Sequence, residues 1–127
     1  MQESLLDKLA EGLAALSLDL SDHVQHQLID FLHLLVKWNR AYNLTAVRQP
    51  EQMVARHLLD SLVIGPYIQG PRILDVGTGA GLPGIPLALA YPDYQFTLLD
   101  SSGKKIRFVT QAVAELGLVN VDVVQSG

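Results

Sequence analysis

The sequence of 127 residues contains no cysteine, which excludes a disulfide framework and any thiolate metal site. Cations are also few: nine Lys and Arg stand against thirteen Asp and Glu, giving a net charge of −4. This balance argues against a protein that grips nucleic acid through its overall field, although local basic patches remain open. The four histidines have no metal-ligand spacing with acids, and no metal is expected.

Long hydrophobic runs are missing as well. The longest uncharged stretch, Val76 to Pro92, is interrupted by glycines and prolines and cannot form one membrane helix. Glu3, Asp7 and Glu11 punctuate the first leucines, so no signal peptide is predicted. Together with the absence of cysteine, these features predict a cytoplasmic protein without a membrane partner.

The first 70 residues show apolar residues at helical spacing, which predicts an N-terminal helical region, residues 1–70. One stripe runs from Leu5 to Leu16, and Ser21 is suited to cap a second helix. A polar stretch from Asn39 to Gln49 follows. Pro50 suits the first turn of a third helix that reaches about Ile64.

The remaining chain, residues 71–127, alternates strand and helix. Short β-branched or apolar segments predict strands at Arg72–Val76, Gln95–Leu99 and Val121–Gln125. Helical segments near Ile85–Tyr91 and Gly103–Leu116 separate them. Such alternation favours an α/β fold with parallel strands and right-handed crossovers, a doubly wound sheet of the Rossmann-like kind with only about three strands.

A glycine-rich loop, "ILDVGTGAGLPGIPLALA", follows the first predicted strand. It holds no lysine, so it is not a phosphate-binding P-loop. The dinucleotide pattern G-x-G-x-x-G, counted from Gly77 and Gly79, places Leu82 where the third glycine belongs. Gly81 comes one residue early and Gly84 two residues late. The dinucleotide pattern is therefore a poor match.

The segment Asp75 to Gly81 has the form acid-x-G-x-G-x-G, and Asp100 closes the second predicted strand. Glycines let a backbone turn sharply and approach a ligand without an intervening Cβ. This combination resembles the class I S-adenosylmethionine-dependent methyltransferases. The resemblance implies Asp75 near the methionine ammonium and Asp100 on the ribose hydroxyls. The alternative is an ordinary strand-to-helix turn with Asp100 capping the next helix.

Four segments together resemble one family more closely: "KWNRAYNLTAVR", "RHLLDS", "DVGTGAGLPGIPLA" and "LLDSSGKKIRF". It is the bacterial glucose-inhibited division protein B family, the 16S ribosomal RNA (guanine-N7)-methyltransferases. The resemblance implies methyl transfer from S-adenosylmethionine to a guanine of 16S ribosomal RNA or the small ribosomal subunit. Guanine N7 has an in-plane lone pair and no proton, so no catalytic base is expected, and positioning should dominate.

The resemblance also assigns site residues. Those expected to bind the cofactor are Asp75, Gly77, Thr78, Gly79, Gly81, Leu82, Asp100 and Ser101. Those expected to contact RNA are Lys104, Lys105, Arg107 and His57, with an ordinary solvated helix start as the alternative for the three cations and a structural histidine for His57.

Other polar residues in the resembling segments have structural interpretations. Trp38 continues an apolar stripe and is expected in the core, while Asn39 and Asn43 are expected to brace the loop between helices. Asp60 follows Arg56 at ion-pair spacing on a helix. A triad of His57, Asp60 and Ser61 is rejected because shared helical spacing supplies neither a nucleophile elbow nor an oxyanion hole.

Family members continue beyond the third strand and complete a seven-stranded sheet. On that basis we expect a truncated Rossmann-like domain here, with half of the cofactor site and impaired or absent activity. The first strand would become an exposed edge that invites self-association. Two alternatives stay open: a non-enzymatic interaction module that self-associates through this edge, and a small-molecule methyltransferase.

Overall fold

The computed structural model describes residues 4–126 and begins with two capped helices. Helix α1 spans Leu5–Ala15, and Ser4 Oγ accepts the Asp7 N–H at 3.0 Å. Helix α2 spans Asp22–Tyr42, and Ser21 Oγ accepts the Val24 N–H at 3.2 Å, so the predicted cap is confirmed. Helix α2 includes residues 39–42, so it contains the first part of the polar stretch from Asn39 to Gln49.

The segment that follows Pro50 is helical but changes its winding. It consists of α3 (Pro50–Met53), a π-helical turn (Val54–Leu59), α4 (Asp60–Leu62) and a 3-10 turn (Gly65–Tyr67). The inward residues are Met53, Val54, Leu58 and Leu62, all buried. Residues four apart drift around an α-helix of 3.6 residues per turn, and a wider turn keeps them on one face. The predicted single helix is therefore found as an interrupted one.

The second half of the chain forms a parallel three-stranded sheet. Its strands are β1 (Arg72–Val76), β2 (Gln95–Asp100) and β3 (Val121–Gln125), in the order β1-β2-β3. Helices α5 (Gly84–Ala90) and α6 (Gly103–Leu116) make the crossovers. The predicted α/β class with helices preceding a parallel sheet is confirmed.

One hydrophobic core joins the helical region to the sheet. Phe31 of α2 and Phe108 of α6 lie with ring centroids 6.1 Å apart, and both are fully buried. The fully buried side chains of this cluster come from both halves of the chain: Leu9, Leu28, Leu58, Ile85, Phe96 and Leu98. The regions 1–70 and 71–127 thus share their interior, and their division into separate domains stays a prediction.

Helices α2 and α6 run antiparallel. Gln27, near the start of α2, donates its side-chain amide to the carbonyl of Leu116, at the end of α6, at 3.3 Å. Trp38, near the end of α2, meets Phe108 in the first half of α6 edge-on at 5.7 Å. The end of α2 and the start of α6 therefore lie at the same end of the molecule.

A buried asparagine fixes the other end of the sheet. The side-chain amide of Asn120 donates to the carbonyls of Ala88, Tyr91 and Tyr94 at 3.2, 3.3 and 3.0 Å. These acceptors lie at the end of α5 and in the turn before β2. One side chain next to β3 thus satisfies carbonyls that have no helical partner.

Strand β1 forms one edge of the sheet. Within residues 4–126 it pairs with β2 alone, and its side chains Leu74 and Val76 are 62% and 67% exposed. An apolar strand with one unpaired side is a template for further pairing. Among the helices of residues 4–126, none is long and apolar enough to cross a membrane.

Candidate cofactor site

The glycine-rich loop is hydrogen-bonded to the end of the neighbouring strand, β2. The N–H groups of Gly77 and Thr78 both donate to the Leu99 carbonyl, at 2.8 and 3.0 Å. Farther along, the N–H groups of Gly81 and Leu82 both donate to the Thr78 carbonyl at 3.0 Å. These bonds fold the backbone into a compact turn at the carboxyl edge of the sheet, where open α/β sheets bind ligands.

Asp75 fastens the loop to the helix that follows it. Its Oδ2 accepts hydrogen bonds from Thr78 Oγ1 at 2.7 Å and from the Gly84 N–H at 3.1 Å. Burial raises the pKa of Asp75, and the charge of Asp100 acts in the same direction, while the two hydrogen bonds oppose them. Oδ1 accepts neither of these bonds. It is the Asp75 atom that can serve a ligand.

Asp100 fastens the loop from the other side. Its Oδ2 accepts the Gly79 N–H at 2.8 Å and its Oδ1 accepts the Ser102 N–H at 2.9 Å. These backbone N–H groups lower the pKa of Asp100, which is therefore ionised at neutral pH. Helix α6 is capped instead by Ser102, whose Oγ accepts the Lys105 N–H at 3.3 Å. The alternative role of Asp100 as the cap of that helix is not what the structure shows.

Two kinds of glycine build the site. Gly77 and Gly79 have φ values of +72° and +59°, and a Cβ added to either would meet no atom within 4 Å. They leave open space into which a ligand can approach the backbone. Gly84 has the opposite surroundings, because a Cβ there would lie 2.2 Å from Leu98 Cδ2.

Gly84 therefore performs the helix-against-strand packing for which the dinucleotide pattern needs its third glycine. Sequence reasoning counted it as a mismatch, two residues late, and assigned it no role. Its signal was present in the apolar helix that begins at this residue, since a tightly packed helix start favours a residue without a side chain.

The chemistry of the site is anionic and rich in acceptors. Asp75 and Asp100 flank an open glycine turn, and the turn contains no cation. A carboxylate oxygen has two lone pairs, so each Asp100 oxygen can accept a further bond beyond the one it makes. This donor and acceptor set fits a ligand with a positive charge and neighbouring hydroxyl groups better than a pyrophosphate.

The other expected cofactor residues are placed as follows. The Thr78 side chain is buried and turned towards Asp75, so only its backbone can face a ligand. Leu82 is half-buried beside the loop. Ser101 is exposed, and its carbonyl accepts the Gln125 side-chain amide at 3.3 Å.

The expected RNA-contacting cations lie in the first turns of α6. Lys104 and Arg107 are exposed, and Lys105 is half-buried, all close in sequence to Asp100. The loop and these cations therefore share one end of the molecule. Among residues 4–126, no group of three or more histidine or acidic side chains is arranged to hold a metal ion.

His57 belongs to a separate network around the connection between α2 and α3. Its Nε2 lies 2.8 Å from Thr45 Oγ1, which also accepts the Val47 N–H at 3.2 Å. Thr45 in turn donates its N–H to Asn39 Oδ1 at 3.0 Å. Burial lowers the pKa of His57. The ring is therefore neutral at pH 7, and Nε2 is suited to accept the Thr45 hydroxyl.

The predicted bracing role of the asparagines is confirmed. Asn39 holds Thr45, while Asn43 adopts a left-handed conformation at the end of α2 and accepts a hydrogen bond from Arg48 Nη2. No hydrogen bond between described residues joins His57 to the glycine loop.

Two further expectations concern side chains of the π-helical turn and of α4: the rejected triad and the ion pair of Arg56 with Asp60. Ser61 Oγ donates to the backbone carbonyl of His57 rather than to its ring, in keeping with the rejection of a triad. The predicted ion pair of Arg56 with Asp60 is absent from the described residues. The π-helical winding replaces the α-helical register on which that pair was based.

The fold is that of an α/β protein, and the loop is a candidate cofactor site at the carboxyl edge of its parallel sheet. A family model described as rRNA small subunit methyltransferase G matches residues 24–127, and the chain belongs to this family.

Individual relatives agree with this assignment. The ribosomal RNA small subunit methyltransferase G of Alteromonas mediterranea is 58% identical over 126 residues, covering 99% of this chain and 60% of the relative. The proteins of the same name from Yersinia pseudotuberculosis and Yersinia enterocolitica are each 57% identical over 122 residues, covering 96% of this chain and 59% of the relative. The chain thus spans about three fifths of the length of these relatives.

Among solved structures, a coclaurine N-methyltransferase bound to N-methylheliamine and SAH aligns with a TM-score of 0.46 and 16% sequence identity. The alignment covers 97% of this chain and 44% of that protein.

Proposed function

We propose that this chain provides the S-adenosylmethionine site of a bacterial methyltransferase acting on N7 of a guanine in 16S ribosomal RNA. The observation that carries the proposal is the open glycine turn held between Asp75 and Asp100. Family membership supports the reaction and the RNA substrate. The cytoplasm, where small ribosomal subunits assemble, is the proposed location.

The residues divide the binding work. The backbone of Gly77 and Gly79 provides a surface without side chains, and Asp100 has lone pairs left for the two ribose hydroxyls. Oδ1 of Asp75 is suited to the methionine ammonium. When bound, the cofactor supplies an electrophilic methyl group on a sulfonium.

No residue is proposed as a general base. Guanine N7 carries a lone pair in the plane of the ring and loses no proton when it is methylated, so the protein needs only to hold nucleophile and methyl group in line. Lys104, Lys105 and Arg107 are proposed to hold RNA phosphates beside the site. His57 is proposed to contribute to RNA binding indirectly, by holding the connection between α2 and α3 through its hydrogen bond to Thr45.

Titration calorimetry with S-adenosylmethionine tests the cofactor site. We expect saturable binding by the wild-type chain, at least tenfold weaker binding by Asp100→Asn, and unchanged binding by the control Asp93→Asn, an exposed acid in the turn before β2. Equal affinities for all three proteins would refute the assignment of Asp100, and the absence of binding by a folded wild-type chain would refute the cofactor site.

The second candidate is self-association of this chain as an interaction module through the edge of β1, which among residues 4–126 pairs with β2 alone. The exposed side chains of Leu74 and Val76 are the supporting observation. Light scattering should then show a dimer that Leu74→Lys converts to a monomer, because a lysine on an edge strand opposes pairing. A monomeric wild-type chain would exclude this candidate.

The small-molecule alternative differs from the ribosomal proposal in its response to salt. Binding to RNA releases counterions and weakens steeply as salt rises, whereas binding of a small neutral substrate does not.

A further inference from the structure

The cations of this chain are unevenly distributed. Seven of the nine Lys and Arg residues lie in two short segments, residues 37–56 and 104–107: Lys37, Arg40, Arg48, Arg56, Lys104, Lys105 and Arg107. These segments contain a single acid, Glu51, while the rest of the chain carries the other twelve acids. A protein of net charge −4 thus concentrates its positive charge.

The fold brings the two segments to the same end of the molecule. Antiparallel packing of α2 on α6, shown by the Gln27–Leu116 hydrogen bond and the Trp38–Phe108 contact, places the end of α2 beside the start of α6. Helix α6 begins directly after Asp100, so the glycine loop is at this end too.

Three arginines of the first segment are linked, through sequence neighbours or hydrogen bonds, to one braced connection, residues 43–49. Arg40 is exposed in the last turn of α2, next to Asn39, which holds Thr45. Arg48 is exposed and is held by Asn43, which lies at the end of the same helix. Holding a long side chain in place in the free protein lowers the entropy lost when it binds.

Arg56 completes the group. It is exposed on the π-helical turn, next to His57, whose ring is hydrogen-bonded to Thr45 of the connection. No ion pair among the described residues involves these three arginines. Within the described part of the chain, their charges are therefore available to an external anion.

We infer that Arg40, Arg48 and Arg56 form the second half of a two-part surface for single-stranded RNA, with Lys104, Lys105 and Arg107 as the first half. The inference rests on the proposed function, and it adds a site on the helical region to the one beside the cofactor loop. Phosphate contacts on both halves would fix the register of the strand, and the bases would remain free to reach the cofactor loop.

The test measures binding of a fluorescein-labelled single-stranded RNA of mixed sequence by anisotropy over a range of salt concentrations. The variant Arg40→Gln/Arg56→Gln removes two charges from the surface. The matched control, Lys8→Gln/Arg72→Gln, removes the two cations that lie outside both segments. Thermal unfolding of each protein establishes that it is folded.

We expect the arginine variant to bind RNA about tenfold more weakly at low salt, with the slope of log Kd against log salt reduced by about 1.4, or 0.7 for each lost phosphate contact. The control should change Kd less than twofold. Equal losses in the two variants would show that only net charge matters, and would overturn the inference, as would wild-type affinity in the arginine variant or no RNA binding by the wild-type chain.

The same proteins titrated with S-adenosylmethionine separate this inference from the proposed function. Cofactor binding without RNA binding localised to the arginines leaves the cofactor site standing and removes the surface. RNA binding that depends on the arginines, without cofactor binding, would keep the RNA surface and refute the cofactor site.

Discussion

The two oxygens of Asp75 have different surroundings. Oδ2 accepts bonds from Thr78 and from the Gly84 N–H, and so builds the loop. Oδ1 takes no part in those bonds and is available to a cation. Burial raises the pKa of the carboxyl, which means that keeping it charged in the folded protein has a cost. A carboxyl group placed where its charged form is costly is a candidate for function.

The substitution Asp75→Asn separates the two roles of this residue. The amide oxygen can still accept the bonds from Thr78 and Gly84, and the cost of a buried charge disappears, so we expect the free energy of unfolding at pH 7 to change by less than about 1 kcal/mol. Binding of S-adenosylmethionine should weaken at least tenfold. Urea unfolding and calorimetry give the two numbers. A large loss of stability with unchanged cofactor affinity would assign Asp75 a purely structural role.

His57 gives a pH dependence of definite sign. Burial is the largest cause of its lowered pKa; the charge of Arg56 adds to it, while the Arg56 carbonyl and the charge of Asp60 oppose it. The unfolded chain, with a value near 6.5, therefore binds the proton more tightly than the folded protein. The stability contributed by neutral His57 is fully present above pH 6.5 and falls as the pH drops from there to the folded-state pKa.

We therefore expect the wild-type chain to lose more stability between pH 7.5 and pH 5.5 than His57→Gln, which keeps a polar partner for Thr45 but does not titrate. Urea unfolding at the two pH values measures the difference. Identical losses in the two proteins would show that His57 has the same proton affinity in the folded and unfolded states.

At the scale of elements, the junction of β1, the loop and α5 depends on one close contact. A Cβ at Gly84 would lie 2.2 Å from Leu98 Cδ2 and 2.9 Å from Asp75 Oδ2, so these side chains or α5 itself would have to shift.

We expect Gly84→Ala to destabilise the protein by roughly 1–3 kcal/mol through overpacking, and to weaken cofactor binding because Asp75 is displaced. The control is Gly70→Ala, where an added Cβ meets nothing within 4 Å and only the φ of +78° is unfavourable. Thermal unfolding and calorimetry compare the two variants. A Gly84→Ala protein with wild-type cofactor affinity would show that the helix position does not control the loop.

The elements that sequence predicted well are those with a strong local signal. Strands β1 and β3 and helix α6 appear with the predicted bounds, because β-branched runs, the Ser102 cap and the left-handed Gly117 end are all local. The π-helical turn was missed because it arises where Met53, Val54 and Leu58 meet the core, and such tertiary contacts leave no local pattern. Asn120 was missed for the same reason, since its three acceptors lie about thirty residues away.

The sequence predicted which residues form the candidate site better than it predicted the hydrogen bonds between them. The motif placed Asp75, Asp100 and the glycines at one edge, and the structure brings them together. It could not show that Asp100 holds Gly79, or that Thr78 turns inward, because both follow from the three-dimensional path of the loop.

At the scale of the molecule, the positive charges are unevenly distributed over a chain that has one shared hydrophobic core. The glycine-rich loop, the start of α6 and the end of α2 lie at one end, and the two segments that meet there contain seven of the nine cations. The overall charge argued against binding of nucleic acid through the field of the whole molecule and left local basic patches open. It could not show that the two cationic segments meet, because that depends on the antiparallel packing of α2 on α6.

The central claim is that the glycine turn between Asp75 and Asp100 takes the cofactor, and amide chemical-shift mapping tests it most directly. Titration of the nitrogen-15-labelled chain with S-adenosylmethionine should shift the amides of Gly77, Gly79 and Asp100 most strongly and saturably. Saturable shifts confined to other parts of the protein, with these amides unmoved, would contradict the account.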